Sequence, residues 1–301
     1  MRSAGRIEGM SENRHQLSNC VVSDAALFGG IAIPIMGTLC KHYTPETPER
    51  GWHDVCSFSA INRWYRPDIQ VSSAVKRLRE DKLISHISFD VWNTLVLPNP
   101  CHAQTRTKFL AACFHTEEAA VRNAYVEVKK WVTQHAIETG YAPSLFENIR
   151  LLMLYCNVHD DPSFIAKAFE HIFDEFKPVV LDPTVKLIHG LVEDGYTLSL
   201  GSNSSFISGR TVHNFLENTF GRVFRFGLYS DLLGYAKPKK TFFNKIIKSC
   251  DIAANNILHV GDDPICDLQG AQSAGMHGAL VGRLEDIREV VYEAISGVCA
   301  P

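Results

Sequence analysis

The stretch Ile84-Ser85-His86-Ile87-Ser88-Phe89-Asp90-Val91-Trp92-Asn93-Thr94-Leu95 decides how this chain folds. An apolar run enters a carboxylate and then a short Asn-Thr turn. A strand that ends in Asp delivers the side chain to the carboxyl edge of a parallel sheet, where open α/β proteins bind ligands. That edge suits a nucleophilic carboxylate. Aspartate also favours turns, so the segment by itself reads equally well as an ordinary strand end.

Working outward, Leu198-Ser199-Leu200-Gly201-Ser202-Asn203-Ser204, Gly234-Tyr235-Ala236-Lys237-Pro238 and Leu258-His259-Val260-Gly261-Asp262-Asp263-Pro264-Ile265-Cys266-Asp267 follow in order. Strands are expected at 196–200, 222–226, 257–260 and 278–281, with helices between them. Such alternation predicts a doubly wound parallel sheet covered on both faces, the α/β class.

With Asp, Ser, Lys and an acidic pair in this order, residues 84 to about 285 resemble the haloacid dehalogenase superfamily, mostly magnesium-dependent phosphatases that form an aspartyl phosphate. Each motif alone is weak, and their joint occurrence is specific. Gln269-Gly270-Ala271-Gln272-Ser273-Ala274-Gly275-Met276 is similar to the helix after the acidic loop in that family. The resemblance implies a central strand at Asp90, between those of Ser202 and Asp262. It also implies Asp90 as nucleophile, with Lys237 and Ser202 as catalytic partners. Mg²⁺ would be held by Asp90, the Trp92 carbonyl and Asp262, with Asp263 and Asp267 either ligating directly or holding metal-bound water and Lys237 from behind. Trp92, Asn93, Thr94, Ser202, Asn203 and Lys237 would surround a small phosphorylated substrate. Phosphoryl transfer is chiefly positioning and electrostatics, which suits a nucleophile, a cation and polar donors.

One position departs from the phosphatase pattern. Two residues after the nucleophile, where such enzymes carry a general-acid aspartate, stands Trp92. Indole donates an N–H but does not shuttle protons near neutral pH, so ~10²- to 10⁴-fold of acid–base help is missing unless another group, first a cap carboxylate, supplies it. Haloacid dehalogenases carry an aromatic residue there, which keeps a 2-haloacid dehalogenase as an alternative. A degenerate, non-catalytic module for partner binding is a third reading. The clustered carboxylates at 262–267 argue for a cation, since like charges repel. The bland reading of Asp262-Asp263-Pro264 is a helix cap, the role assigned to Asp160-Asp161-Pro162.

Residues 98–184 read as a helical cap inserted into a core of 84–97 and 185–301. Thr116 is expected to cap a helix with Val121, Tyr125, Val128 and Val132 on one face. Ser144-Leu145-Phe146-Glu147 reads as a capping box. Phe164, Ile165, Ala168, Phe169, Ile172, Phe173 and Phe176 form an apolar stripe assigned to the cap's core.

The chain of 301 residues is 46% hydrophobic, enough for a sizeable core. Its net charge of −3 and sequence pI near 6.5 give no basic field for nucleic acid. Nine scattered cysteines without a C-x-x-C pair favour reduced thiols in the cytoplasm. No ligand spacing links the thirteen histidines, which are read as structural. Residues 1–83 lie outside the resemblance. Within them, 1–10 reads as a leader, 25–40 as a buried apolar run rather than a membrane anchor, 43–66 as loop and 71–81 as a helix. Self-association is left open.

Overall fold

The computed structural model describes residues 83–299, together with Leu27–Phe28, which pairs antiparallel with Ile31–Ala32. The expectations for 1–10, 43–66 and 71–81, and for the burial of 25–40, lie outside the described residues.

Five parallel strands form the sheet: β1 (His86–Phe89), β2 (Thr197–Ser202), β3 (Phe224–Tyr229), β4 (Ile257–Gly261) and β5 (His277–Leu280). Their order is β3-β2-β1-β4-β5, so β1 is central and its neighbours are the strands that lead to Ser202 and Asp262. Side chains alternate along a strand. Ile87 and Phe89 of β1 accordingly enter one core with α5 (Asp182–Glu193), α6 (Gly209–Phe220) and α10 (Ile287–Cys299). The opposite face packs Phe226 and Leu228 on α8 (Lys240–Cys250) and α9 (Gly270–Ser273). This is the doubly wound α/β fold expected from the alternation.

The second face of β1 is polar, and it is satisfied internally. His86 bridges the hydroxyls of Thr197 and Ser199 at 2.8 Å each, and His259 sits 3.2 Å from the Ser88 hydroxyl. All four groups on β1, β2 and β4 at this level, His86, Ser88, Ser199 and His259, are fully buried. Burial of polar groups is tolerable only with such partners.

Between β1 and β2 lies a helical insert, α1 (Pro100–Cys113), α2 (Glu118–Thr139), α3 (Leu145–Tyr155) and α4 (Pro162–Glu175). The chain leaves and returns side by side: Leu97 and Val179 exchange backbone hydrogen bonds of 2.8 and 2.9 Å. Ser144 and Glu147 make the expected capping box, and Asp161 caps α4 through the Ser163 N–H at 3.0 Å. α2 begins one residue later than expected, with Glu117 rather than Thr116 at its cap and no side-chain cap bond. The apolar stripe of α4 is narrower than its composition: Phe164 is 63% exposed while Ile165, Phe169, Ile172 and Phe173 are buried. Between α2 and α3 the insert is tied to the core, because Ala142 N–H donates to the Gly234 carbonyl and Ala236 N–H to that of Gly140. Among the described residues no helix is long and apolar enough to cross a membrane.

Candidate active site

At the carboxyl edge of the sheet, a cleft of about 460 Å³ opens between the core and the insert. Asp90 follows β1 directly and is held by its N–H on the Val260 carbonyl at 2.8 Å. The next residues form a tight turn in which the Val91 carbonyl accepts from the N–H groups of Thr94, Leu95 and Val96. Asn93 is left-handed at φ 57°, a conformation that asparagine tolerates better than most residues.

Lys237 reaches the same point from the loop between the short helix α7 (Ser230–Leu233) and α8. It is 2% exposed, and its Nζ donates to Asp90 Oδ1 at 2.7 Å and Asp267 Oδ1 at 2.5 Å. Asp262 enters from the end of β4, where its Oδ2 accepts from Asn93 Nδ2 at 3.1 Å. Asp267 comes from a π-helical turn, Pro264–Gln269; its Oδ2 accepts the Asp263 N–H at 3.0 Å and its Oδ1 lies 3.1 Å from His259 Nε2. One oxygen from each of Asp90, Asp262 and Asp267 falls within 4.8 Å of the others. Three hard oxygen donors converging in a half-open cleft suit an octahedral divalent cation such as Mg²⁺.

The electrostatics follow from that crowding. Burial pushes the Asp90 carboxyl up to about 6, and the Lys237 ammonium only partly offsets it. Burial works the same way on Asp267, but Lys237 and the His259 bond outweigh it and hold this carboxyl well below its ordinary range. Desolvation would lower Lys237, yet its two carboxylates raise it. Asp262, half-buried, is raised by desolvation against the Asn93 bond. The group therefore carries more negative charge than one ammonium balances. A bound cation would relieve it.

The expected site residues do not all arrive in the expected way. Ser202 is buried at the end of β2 and lines the cleft, with a hydroxyl that has no hydrogen-bond partner. Asn203 also lines the cleft, with one hydrogen bond at each of its polar atoms. Its Nδ2 donates to the Lys237 carbonyl at 3.1 Å and its Oδ1 accepts the Lys237 N–H at 3.0 Å, so its amide aligns the lysine and keeps one N–H donor beyond that pair. Thr94 is fully buried outside the lining, because the turn spends its N–H on Val91 and leaves its hydroxyl in the interior. Asp263 stands apart from the three converging carboxylates: its Oδ1 caps the π-helical turn through the N–H groups of Ile265 and Cys266 at 2.8 and 2.7 Å. The helix-cap reading thus fits Asp263, while its neighbour Asp262 joins the cluster. Trp92 lines the cleft with its indole partly buried against the core. No carboxylate of the insert lines the cleft.

Sequence reasoning missed His259, which touches Asp267, and His102, Arg106, Tyr125 and Lys129, which face the cleft from α1 and α2. Tyr125 was expected among the buried valines of α2. Instead it lies against Phe206 with centroids 4.5 Å apart. Nothing in helical spacing separates a cleft-facing His or Arg from a solvated one, since the partner surface comes from a distant part of the chain.

Residues 84–275 match the family model of the haloacid dehalogenase-like hydrolases. The chain is 28% identical over 220 residues to mouse haloacid dehalogenase-like hydrolase domain-containing protein 3, covering 69% of this chain and 86% of that protein. It is 26% identical over 136 residues to the zebrafish phospholysine phosphohistidine inorganic pyrophosphate phosphatase, 41% of this chain and 49% of that one. Among solved structures, the fold is shared with the magnesium-bound HAD-hydrolase YfnB from Bacillus subtilis, at a TM-score of 0.56 and 17% identity over 69% of this chain and 99% of that one. It is shared also with a 2-haloacid dehalogenase from Pseudomonas syringae, at 0.50 and 17% over 70% and 99%. By the match over residues 84–275, which carry Asp90, Ser202, Lys237 and the acidic loop, this chain belongs to the haloacid dehalogenase-like hydrolases.

Proposed function

We infer that the protein is a Mg²⁺-dependent phosphatase acting on a small phosphorylated metabolite through an aspartyl phosphate on Asp90. The observation that carries this reading is the convergence of Asp90, Asp262 and Asp267 beside a buried Lys237. A haloacid dehalogenase without metal has no use for that much uncompensated negative charge.

In the proposed reaction an Asp90 oxygen attacks phosphorus, the bond from phosphorus to the leaving oxygen breaks, and water later cleaves the acyl phosphate. Lys237 keeps Asp90 ionised and pairs with the developing charge on the phosphoryl oxygens. The unpartnered Ser202 hydroxyl donates to one of those oxygens. Mg²⁺, held by Asp90, Asp262 and Asp267 and, by family resemblance, the Trp92 carbonyl, would neutralise phosphoryl charge as a Lewis acid. Asp263 shapes the loop behind these ligands. The insert serves as a cap that excludes water from the cleft. Cys250 and Cys266, both buried, are packing thiols, in keeping with a reducing cytoplasm.

Trp92 favours the second reading, a dehalogenase in which Asp90 attacks carbon. The test is a screen of phosphate esters and chloroacids, with Mg²⁺ and with chelator, on wild type and Asp90→Asn. Ester hydrolysis that needs both Mg²⁺ and Asp90, with beryllium fluoride bound only in Mg²⁺, is the expected result. Metal-independent ester turnover would refute it. Halide release in chelator would move the assignment to the dehalogenase, and inactivity on both classes to a binding module.

A further inference from the structure

The cleft has two ends of opposite character. All four of its lining carboxylates, Asp90, Asp262, Asp263 and Asp267, belong to the core, whereas the insert contributes His102, Arg106 and Lys129. His102 and Arg106 stand one turn apart on α1, on the same helix face. The Arg106 guanidinium lies 3.6 Å from the ring centroid of Tyr125, and its Nε is buried without a hydrogen-bond partner. His102 is 8% exposed, packs edge-on to Phe173, and likewise has a buried Nε2 with no partner. Among the described residues neither Arg106 nor Lys129 has a carboxylate within ion-pair distance.

A desolvated guanidinium without a counter-ion is costly, and the cost disappears when an anion takes the vacant donors. Burial and then Arg106 push the His102 imidazole down to about 4, so it is neutral at pH 7 and offers one N–H without adding charge. Arginine remains protonated in any protein environment. The geometry points to a second anion site in this cleft: His102, Arg106 and Lys129 receive a carboxylate or phosphate that the substrate carries away from its reacting phosphoryl group.

This inference rests on the phosphatase reading and narrows it, from any small phosphate ester to those with a second anionic group. Tyr125, which stacks on the guanidinium and shares a side-chain hydrogen bond with it, would hold its plane in register and leave the buried Nε donor for the ligand.

The test is calorimetric binding in Mg²⁺ of three non-hydrolysable ligands: propylphosphonate, 3-phosphonopropionate and propane-1,3-bisphosphonate. In wild type the two doubly anionic ligands should bind about 10-fold or more tighter than propylphosphonate, as charged hydrogen bonds allow. Which is tighter distinguishes carboxylate from phosphate. Arg106→Gln should collapse the ratio towards one, Arg106→Lys should restore part of it, and Lys129→Gln, on a more exposed side chain, should lower it less. Arg122→Gln removes the same charge from the exposed surface of α2 and should leave the ratio unchanged. Equal affinities in wild type, or an undiminished ratio in Arg106→Gln, would overturn the inference. Turnover of p-nitrophenyl phosphate and its loss in Asp90→Asn report separately on the phosphatase reading. A surviving ratio without such turnover keeps the anion site and discards the reaction.

Discussion

Replacing Lys237 by methionine keeps the length of the side chain and deletes its charge. In the absence of metal this leaves Asp90 and Asp267, 6% and 1% exposed, without the ammonium that touches both. Breaking a buried ion pair by removing one member costs about 3 to 5 kcal/mol. For a domain of this size that lowers the thermal midpoint by roughly 10 °C. The pH dependence gives the sharper check. Without Lys237 the folded-state pKa values of the two carboxylates rise above their unfolded values, so the folded variant holds a proton that the unfolded chain releases above pH ~4. Stability of the variant therefore grows as pH falls. Its deficit against wild type should narrow on going from pH 8 to 5, by up to about 1.4 kcal/mol per unit. Wild type runs differently, because its Asp267 is depressed and contributes stability that is lost only as pH falls below ~4. Its Asp90, raised to about 6, lowers stability progressively as pH rises from ~4 to 6, and that cost remains in full above pH 6. Urea unfolding in chelator at several pH values reads both curves. A Lys237→Met variant as stable as wild type at pH 7.5, or a deficit that stays constant with pH, would refute this account of the charge balance.

Ser202→Ala removes a hydroxyl with no partner in the protein, so stability should hold or rise slightly while kcat/KM on a phosphate ester falls about 10-fold. Asn203→Ala removes two hydrogen bonds to the Lys237 backbone and should cost about 1 to 3 kcal/mol in unfolding as well as rate, and loss of rate alone would argue for ligand contact instead. With Trp92 in place of an acid, p-nitrophenyl phosphate should turn over much faster than alkyl phosphates, and Trp92→Asp should narrow the difference. A folded Trp92→Asp variant with both rates unchanged would mean that proton transfer is not limiting.

The strands and the order of the site loops were legible because a parallel sheet writes itself as apolar runs followed by polar edges. The sheet centre at Asp90, the ends at Ser202 and Asp262 and the Lys237 loop lie where the motifs indicated. β3 shows the limit. A strand was expected at 222–226, yet it runs through Gly227 to Tyr229. Gly227 is there for space, since a Cβ would meet the His213 ring at 2.6 Å. The helices of the insert were legible from their period, but which face meets the cleft was not. Asn203 and Asp263 show why site chemistry outran the sequence: each carries the right atoms in the right loop, and bonds to the local backbone engage part of what they offer.

Gly261 closes β4 immediately before Asp262, and a methyl group built on it would collide with the Asp267 carboxyl and its Cβ. The π-helical turn folds Asp267 back over the strand it came from, and the bare α-carbon at 261 makes room for that return. A residue without functional groups thus sets how close the last carboxylate can come to Lys237. Gly261→Ala would push Asp267 outward while every chemically active side chain stayed in the sequence. A search for lost activity among the acids and the lysine would then find nothing altered. In this protein the reach of the acidic loop is governed by an absence of side chain, and inspection of the polar residues alone would overlook it.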